Sequence, residues 1–399
     1  MNTPSNAVDR GAVASLIVGR IVYAINWYSL AAVFSFTAVG MNLNVNALGL
    51  ATAMFFIGIG IFQVPGAVLS AKVGPRLTAI FGTTVASLAA FLSGFAGNLV
   101  EIAILRFFVG LGMAFVFSPG VVLMAKLLHE GSEGLGVGLY NSAFSIGGAI
   151  GLFGWGVLAA AVGWRTSLAI GGLLGLFTSV AMWFLVPKDA RRPDFTVQLR
   201  DLKAALLDKW LIILSIAMLA LQLGSTVYSN FMAYYLHTAV KVNVEEAGII
   251  AASASIFALA SAPFAGRLFD KYGHAKRLLF ASGILMAGGV GMASFGNVYS
   301  AILAGVMVGL ASGSGFTFGF SAAREANKLD KEYDTMAVSW VNSISLFGDF
   351  VSPLLFSYLA TNYGYSPAWS YLAILALVLT IPILFRKSQG ERKTGNNSQ

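Results

Sequence analysis

Apolar runs of about 20 residues, the length an α-helix needs to cross a bilayer, recur from one end of this chain to the other. Twelve are expected, at about 12–38, 45–70, 76–97, 99–127, 134–162, 165–187, 210–236, 247–268, 277–296, 298–323, 335–362 and 366–386. Several exceed 25 residues and are expected to tilt. Of 399 residues, 57% are hydrophobic and only 11% charged, too little charge for a soluble protein of this length. No stretch remains for a soluble catalytic domain. The first run starts near Ala12 and continues past Phe36 with no small-residue cleavage site, so it reads as a retained helix and not a signal peptide. The fold class expected is an all-α membrane protein.

Charge placement orients the spans. Of 25 Lys and Arg, 21 fall on one side: Arg10, Lys72, Arg76, Lys126, the 188–209 segment, Arg267 to Arg277, Arg324 to Lys331 and the tail from Arg386. The other side has Arg165 and Lys241, and Arg20 and Arg106 lie inside spans. The excess of positive charge faces the cytoplasm, which puts both termini there, in a cell membrane. The formal charge of +8 is then a topology signal, with no soluble basic face to bind nucleic acid. Cysteine is absent, which removes disulfides and thiolate chemistry. His129, His237 and His274 are scattered through expected loops, and no HExxH, GxSxG or GxxxxGK[ST] occurs. No metal centre, cofactor or enzymatic constellation is expected.

The longest polar connection, 188–209, separates six spans from six. Its "TVQLRDLKAALLDK" has helical apolar spacing and reads equally as a membrane-surface helix or as a solvated linker. The expected organisation is a cytoplasmic segment 1–10, a six-helix bundle 11–187, the linker, a second bundle 210–386 and a tail 387–399. The halves repeat. At an offset of 199, Leu69, Lys72 and Gly74 pair with Leu268, Lys271 and Gly273, Asn98 with Asn297, and Gly110-Leu111 with Gly309-Leu310. At 201, Asn141-Ser142 pairs with Asn342-Ser343, Gly147 with Gly348, and Gly163 with Gly364. A two-residue length change between spans ten and eleven accounts for the shift. Order and hydropathy repeat together, as duplication requires.

The segment "GRLFDKYGHAKR" resembles the cytoplasmic loop motif G-x-L-x-D-[RK]-x-G-[x]-[RK] of the major facilitator superfamily, through Gly266, Leu268, Asp270, Lys271, Gly273, Lys276 and Arg277. The first-half copy keeps Lys72, Gly74 and Arg76 but has Ala67 and Ala71 in place of the glycine and the acid. "LRFFVGLGMA" is similar to the family's fourth-helix motif with its buried arginine, and "GWRTSL" to its junction between helices five and six. The resemblance covers roughly residues 11–387 and implies two pseudo-symmetric bundles of parallel repeats. It also implies that the loop, with Lys72, Gly74, Arg76, Gly266, Asp270, Lys271, Gly273 and Arg277, latches the halves in one conformational state. The bland reading is that these charges only fix topology. In span five, "SIGGAIGLFGWG" offers small residues for close crossing against the other half, and Gly151-Leu152 stands where the family's antiporters often carry Gly-Pro.

Three ionisable residues lie inside spans, Arg20, Arg106 and Asp349, where a charge is expensive and tends to face a partner or a wet cavity. Asp349 shares one helical face with Asn342, Ser345 and Ser352. Burial favours the neutral carboxyl and a neighbouring arginine the charged one; a group caught between them can load and release a proton. Asp349 is therefore the expected coupling group, with a structural ion pair to an arginine as the alternative. Arg106 either lines the cavity, as the family resemblance implies, or satisfies backbone carbonyls. Arg20 either joins the cavity with Tyr23, Asn26 and Trp27 or snorkels to the cytoplasm. The resemblance places spans one, four, seven and ten around the cavity, which adds Gln222, Ser225, Thr226 and Asn230 in span seven and Ser314, Thr317 and Ser321 in span ten. With Asn342 and Ser345 these are the candidate substrate contacts, though Ser and Thr in such helices often bond locally.

The reading expected is a monomeric transporter working by alternating access on a small organic or inorganic anion, in symport with H⁺, surrounded by membrane lipid. Proton-coupled efflux of lipophilic compounds and a non-transporting receptor or scaffold are the competing readings.

Overall fold

The computed structural model describes residues 9–127, 133–188, 208–272, 275–326 and 334–385. Among the described residues the ordered elements are all helical, and twelve helices are long and apolar enough to cross a membrane. In chain order the spans are Arg10–Met41, Val45–Gln63, Pro75–Ser93, Leu99–Met124, Leu139–Val162, Trp164–Leu185, Lys209–Val240, Val244–Phe269, Lys276–Phe295, Val298–Ala323, Trp340–Tyr363 and Tyr365–Phe385. Each expected apolar run has its helix. The fold is an all-α membrane protein of the twelve-helix type expected from sequence. The linker helix suggested within 188–209 lies almost wholly outside the described residues.

The helix starts show how the sequence punctuates an otherwise apolar chain. Asp9 accepts from Ala12 N at 3.1 Å, Asn44 from Asn46 N at 3.0 Å, and Asn98 from Glu101 N at 3.0 Å. Each oxygen satisfies an amide that the first helical turn leaves orphaned. Their partners 199 residues on do the same work: Asp208 caps span seven, Asn243 accepts from Glu246 N at 2.7 Å, and Asn297 from Ser300 N at 2.9 Å. Only the last of the three pairs had been singled out in the sequence.

Turns repeat as well. Gly163 has φ 83° and Gly364 φ 90°, between spans five and six and between eleven and twelve. A backbone this far into positive φ is available to glycine at little cost. Among the described residues two that are not glycine share the left-handed conformation, Asn42 at φ 53° and Lys241 at φ 68°, and they too are 199 apart.

Proximity divides the chain into two compact units. The first draws on Met1–Thr196, Ser229–Ile256 and Pro353–Asn362; the second on Val197–Tyr228, Phe257–Ser352 and Tyr363–Gln399. In the first unit span two packs on span four, span three on four and six, and span one on five and six. In the second, span nine packs on ten and twelve, the same pairing six spans later. Span five carries a π-helical turn at Ile150–Gly154. Its glycines cross more than one helix: Gly147 closes on the Ile21 carbonyl of span one, and Leu152 O faces Gly248 of span eight. The close crossing expected against the other half is thus shared with span one.

Candidate functional site

In the first unit, Arg20 sits one turn before Tyr23 on span one and is only 5% exposed. Its guanidinium carbon lies 4.3 Å from the ring centre of Tyr23, 4.6 Å from Phe144, and 4.9 Å from both Phe117 and Tyr140. Spans one, four and five together form this aromatic cage. Cation–π attraction, about 2 kcal/mol where water is excluded, compensates part of the lost hydration. It does not satisfy the N–H groups, and Nε and Nη1 have no hydrogen-bond partner. Buried among these rings, the head group is enclosed by its own unit and does not extend to the protein surface, as snorkelling would require. Phe117, Tyr140 and Phe144 were not visible as site residues in the sequence, since hydropathy does not tell which aromatic faces an arginine.

Arg106 adopts the second of its two expected roles. It is 4% exposed and donates through Nη1 to Asn26 O and through Nη2 to Trp27 O, both at 3.0 Å. Phe55 covers its guanidinium at 4.4 Å. Asn26, a candidate contact, turns toward span six, where Nδ2 donates to Gly171 O at 3.0 Å while Oδ1 has no partner. Trp27 lies among Phe55, Phe56 and Phe144, with ring centres 4.8, 5.5 and 5.6 Å away.

In the second unit, Asp349 is 1% exposed. Thr226 Oγ1 donates to its Oδ1, Gln222 reaches the same carboxyl group, and Oδ2 has no partner. Gly348 makes this meeting possible, because a side chain there would crowd Leu219 O of span seven at 2.9 Å. Among the described residues no arginine or lysine pairs with Asp349, so the ion-pair alternative does not hold there. The polar stripe of span eleven is largely buried: Ser345 and Ser352 are each 0% exposed, Ser345 bonding to Asn342 O at 2.8 Å and Ser352 Oγ having no partner. Asn342 is half-buried, as are Gln222 and Ser225; Asn230, which belongs to the first unit, is buried. In span ten, two of the candidate hydroxyls bond within their own helix. Thr317 bonds to Gly313 O at 2.8 Å, and Ser314 bonds to Leu310 O at 2.6 Å and pairs with Ser282.

The loop residues behave differently from one another. Gly74 takes φ 95° at the turn between spans two and three. Arg76 is buried and donates to Val186 O at 2.7 Å and to Trp183 O, stacking over the Trp183 ring. A cation on the last carbonyls of span six complements the helix dipole, so Arg76 serves its own unit. Lys72, Lys271 and Arg277 are exposed. Open space surrounds the position of a Gly266 side chain, so close approach does not explain that glycine. Gly273 and the Asp270 side chain lie outside the described residues.

Known proteins resemble the chain over most of its length. It is 23% identical over 393 residues to the nitrite extrusion protein of Bacillus subtilis (strain 168), covering 95% of this chain and 94% of that one. It is 25% identical over 248 residues to the probable L-galactonate transporter of Escherichia coli (strain K12), spanning 58% of this chain and about half, 54%, of that relative. The crystal structure of a bacterial homolog to the human lysosomal transporter Spinster, in an inward-facing and unoccupied conformation, matches with a TM-score of 0.76 at 14% identity, covering 96% of both chains. A family model matches residues 16–323 and 214–399. The twelve-span chain is a membrane transporter, not an enzyme, and belongs to the Major Facilitator Superfamily.

Proposed function

We propose that this transporter carries a small organic or inorganic anion together with a proton across the cell membrane, by alternating access to one central site. The observation that carries the reading is Arg20, a buried guanidinium with two nitrogens that no protein group satisfies. A charge in that condition stays costly until an acceptor reaches it, and an anion supplies one. Two relatives are named for anions at neutral pH, nitrite and L-galactonate. Asp349 is the proton carrier in this reading. It is buried without a cationic partner among the described residues, and one carboxyl oxygen has no hydrogen-bond partner. Gln222 and Thr226 hold its carboxyl group, and Ser225, Asn230, Asn342, Ser345 and Tyr23 are the further substrate contacts of this reading. The protein works as a monomer with its termini in the cytoplasm, where the loops around Lys72 and Lys271 latch one state.

Proteoliposomes given an inward-directed proton gradient test the proposal with nitrite and L-galactonate as cargo. Accumulation that a protonophore abolishes is expected. Absence of uptake for any anion overturns the anion reading, and uptake indifferent to the gradient overturns the coupling.

A further inference from the structure

We infer that the Arg20 cage selects a singly charged anion, a nitrate-type ion or a monocarboxylate, over divalent anions. The inference rests on the anion reading above and adds the charge of the cargo.

Among the described residues of the first unit three arginines are buried: Arg20, Arg76 and Arg106. Arg76 is committed to the end of span six through Val186 O and Trp183 O. Arg106 is committed to span one, its two terminal nitrogens each 3.0 Å from a main-chain oxygen. Arg20 alone of these three gives a main-chain carbonyl nothing. Glu101, in the first turn of span four, is exposed and bonded to Gly97 N and Asn98. Arg20 bonds the Tyr23 hydroxyl, but among the described residues its charge has no acidic or main-chain partner, so one positive charge meets the cargo. A monoanion neutralises it, whereas a dianion would leave a net charge desolvated among aromatic rings, which is unfavourable without a second partner.

Thermal unfolding of the purified full-length protein, titrated at matched ionic strength with sodium nitrate, acetate, sulfate and succinate at pH 7, tests it. Nitrate and acetate should raise the unfolding temperature saturably, with sulfate and succinate at least about ten-fold weaker. Arg20→Gln should remove the nitrate response, and Arg20→Lys should weaken it while keeping the charge preference. Sulfate or succinate binding as tightly as nitrate overturns the inference while leaving anion transport standing. A monodisperse Arg20→Gln protein that binds nitrate like the parent overturns the site. A parent protein indifferent to all four salts overturns the anion reading itself.

Discussion

Asn42 and Lys241, 199 residues apart, are the two non-glycine residues among those described whose backbone is left-handed, at φ 53° and 68°. Each ends the first helix of its half, where a left-handed residue lets the chain turn back. Asparagine tolerates that conformation and lysine does so poorly. Lys241→Asn or Lys241→Gly should therefore stabilise the protein, by about 0.5–1 kcal/mol, read as a higher unfolding temperature in detergent. Asn42→Ala should lower it by a similar amount. A lower temperature for Lys241→Gly would contradict the strain argument.

Arg106 ties span four to two carbonyls of span one. Its replacement by glutamine should cost about 3 kcal/mol, the scale for removing a charged donor from buried acceptors. Arg106→Lys keeps the charge but has no fork to serve both carbonyls, and should lie between the two. Chemical denaturation of the three proteins in one detergent orders them; equal stability of parent and Arg106→Gln would refute the tie.

Spans two and four cross at glycines. A side chain on Gly110 would strike the Phe55 carbonyl, and one on Gly58 the Phe107 carbonyl. Main-chain atoms cannot step aside as a flexible side chain does. Gly110→Ala and Gly58→Ala should each cost about 1–3 kcal/mol, while Gly60→Ala, which meets open space, should be near neutral. Thermal unfolding of the three variants checks the contrast.

Asp349→Asn should lose proton-driven accumulation and keep substrate exchange, measured as uphill uptake against counterflow in proteoliposomes. The amide preserves size and a hydrogen bond to Thr226 but cannot carry the proton. Thr226→Val should change the pH dependence of uptake with a smaller loss of rate, because it removes a donor to the carboxyl group. Uphill transport by Asp349→Asn would exclude this residue as the carrier.

The spans were legible because a bilayer demands length and hydrophobicity, and both are properties of a linear string. The repeat was legible where it left glycines and asparagines as marks, as at Asn98 and Asn297. The Asp9–Asp208 and Asn44–Asn243 pairs escaped notice because a cap is a relation between a side chain and an amide three residues on, and a lone Asp or Asn carries no sign of it. The partners of Arg106 are main-chain oxygens about 80 residues away, and no residue type announces them. Arg20 was singled out, but its cage was not. Phe117, Tyr140 and Phe144 look like any other apolar positions until the spans are rotated against one another. Thr226 stood in the polar cluster of span seven, and its tie to Asp349 needed the crossing at Gly348.

The acceptors of Arg106 belong to the peptide backbone, which every amino acid supplies. No point change at Asn26 or Trp27 that leaves the helix intact can delete them. Genetic drift can sever this joint from one side only, through Arg106. Span one is accordingly at liberty to exchange the side chains it presents to cargo while its seat against span four holds, so a relative can acquire a new specificity without rebuilding its scaffold.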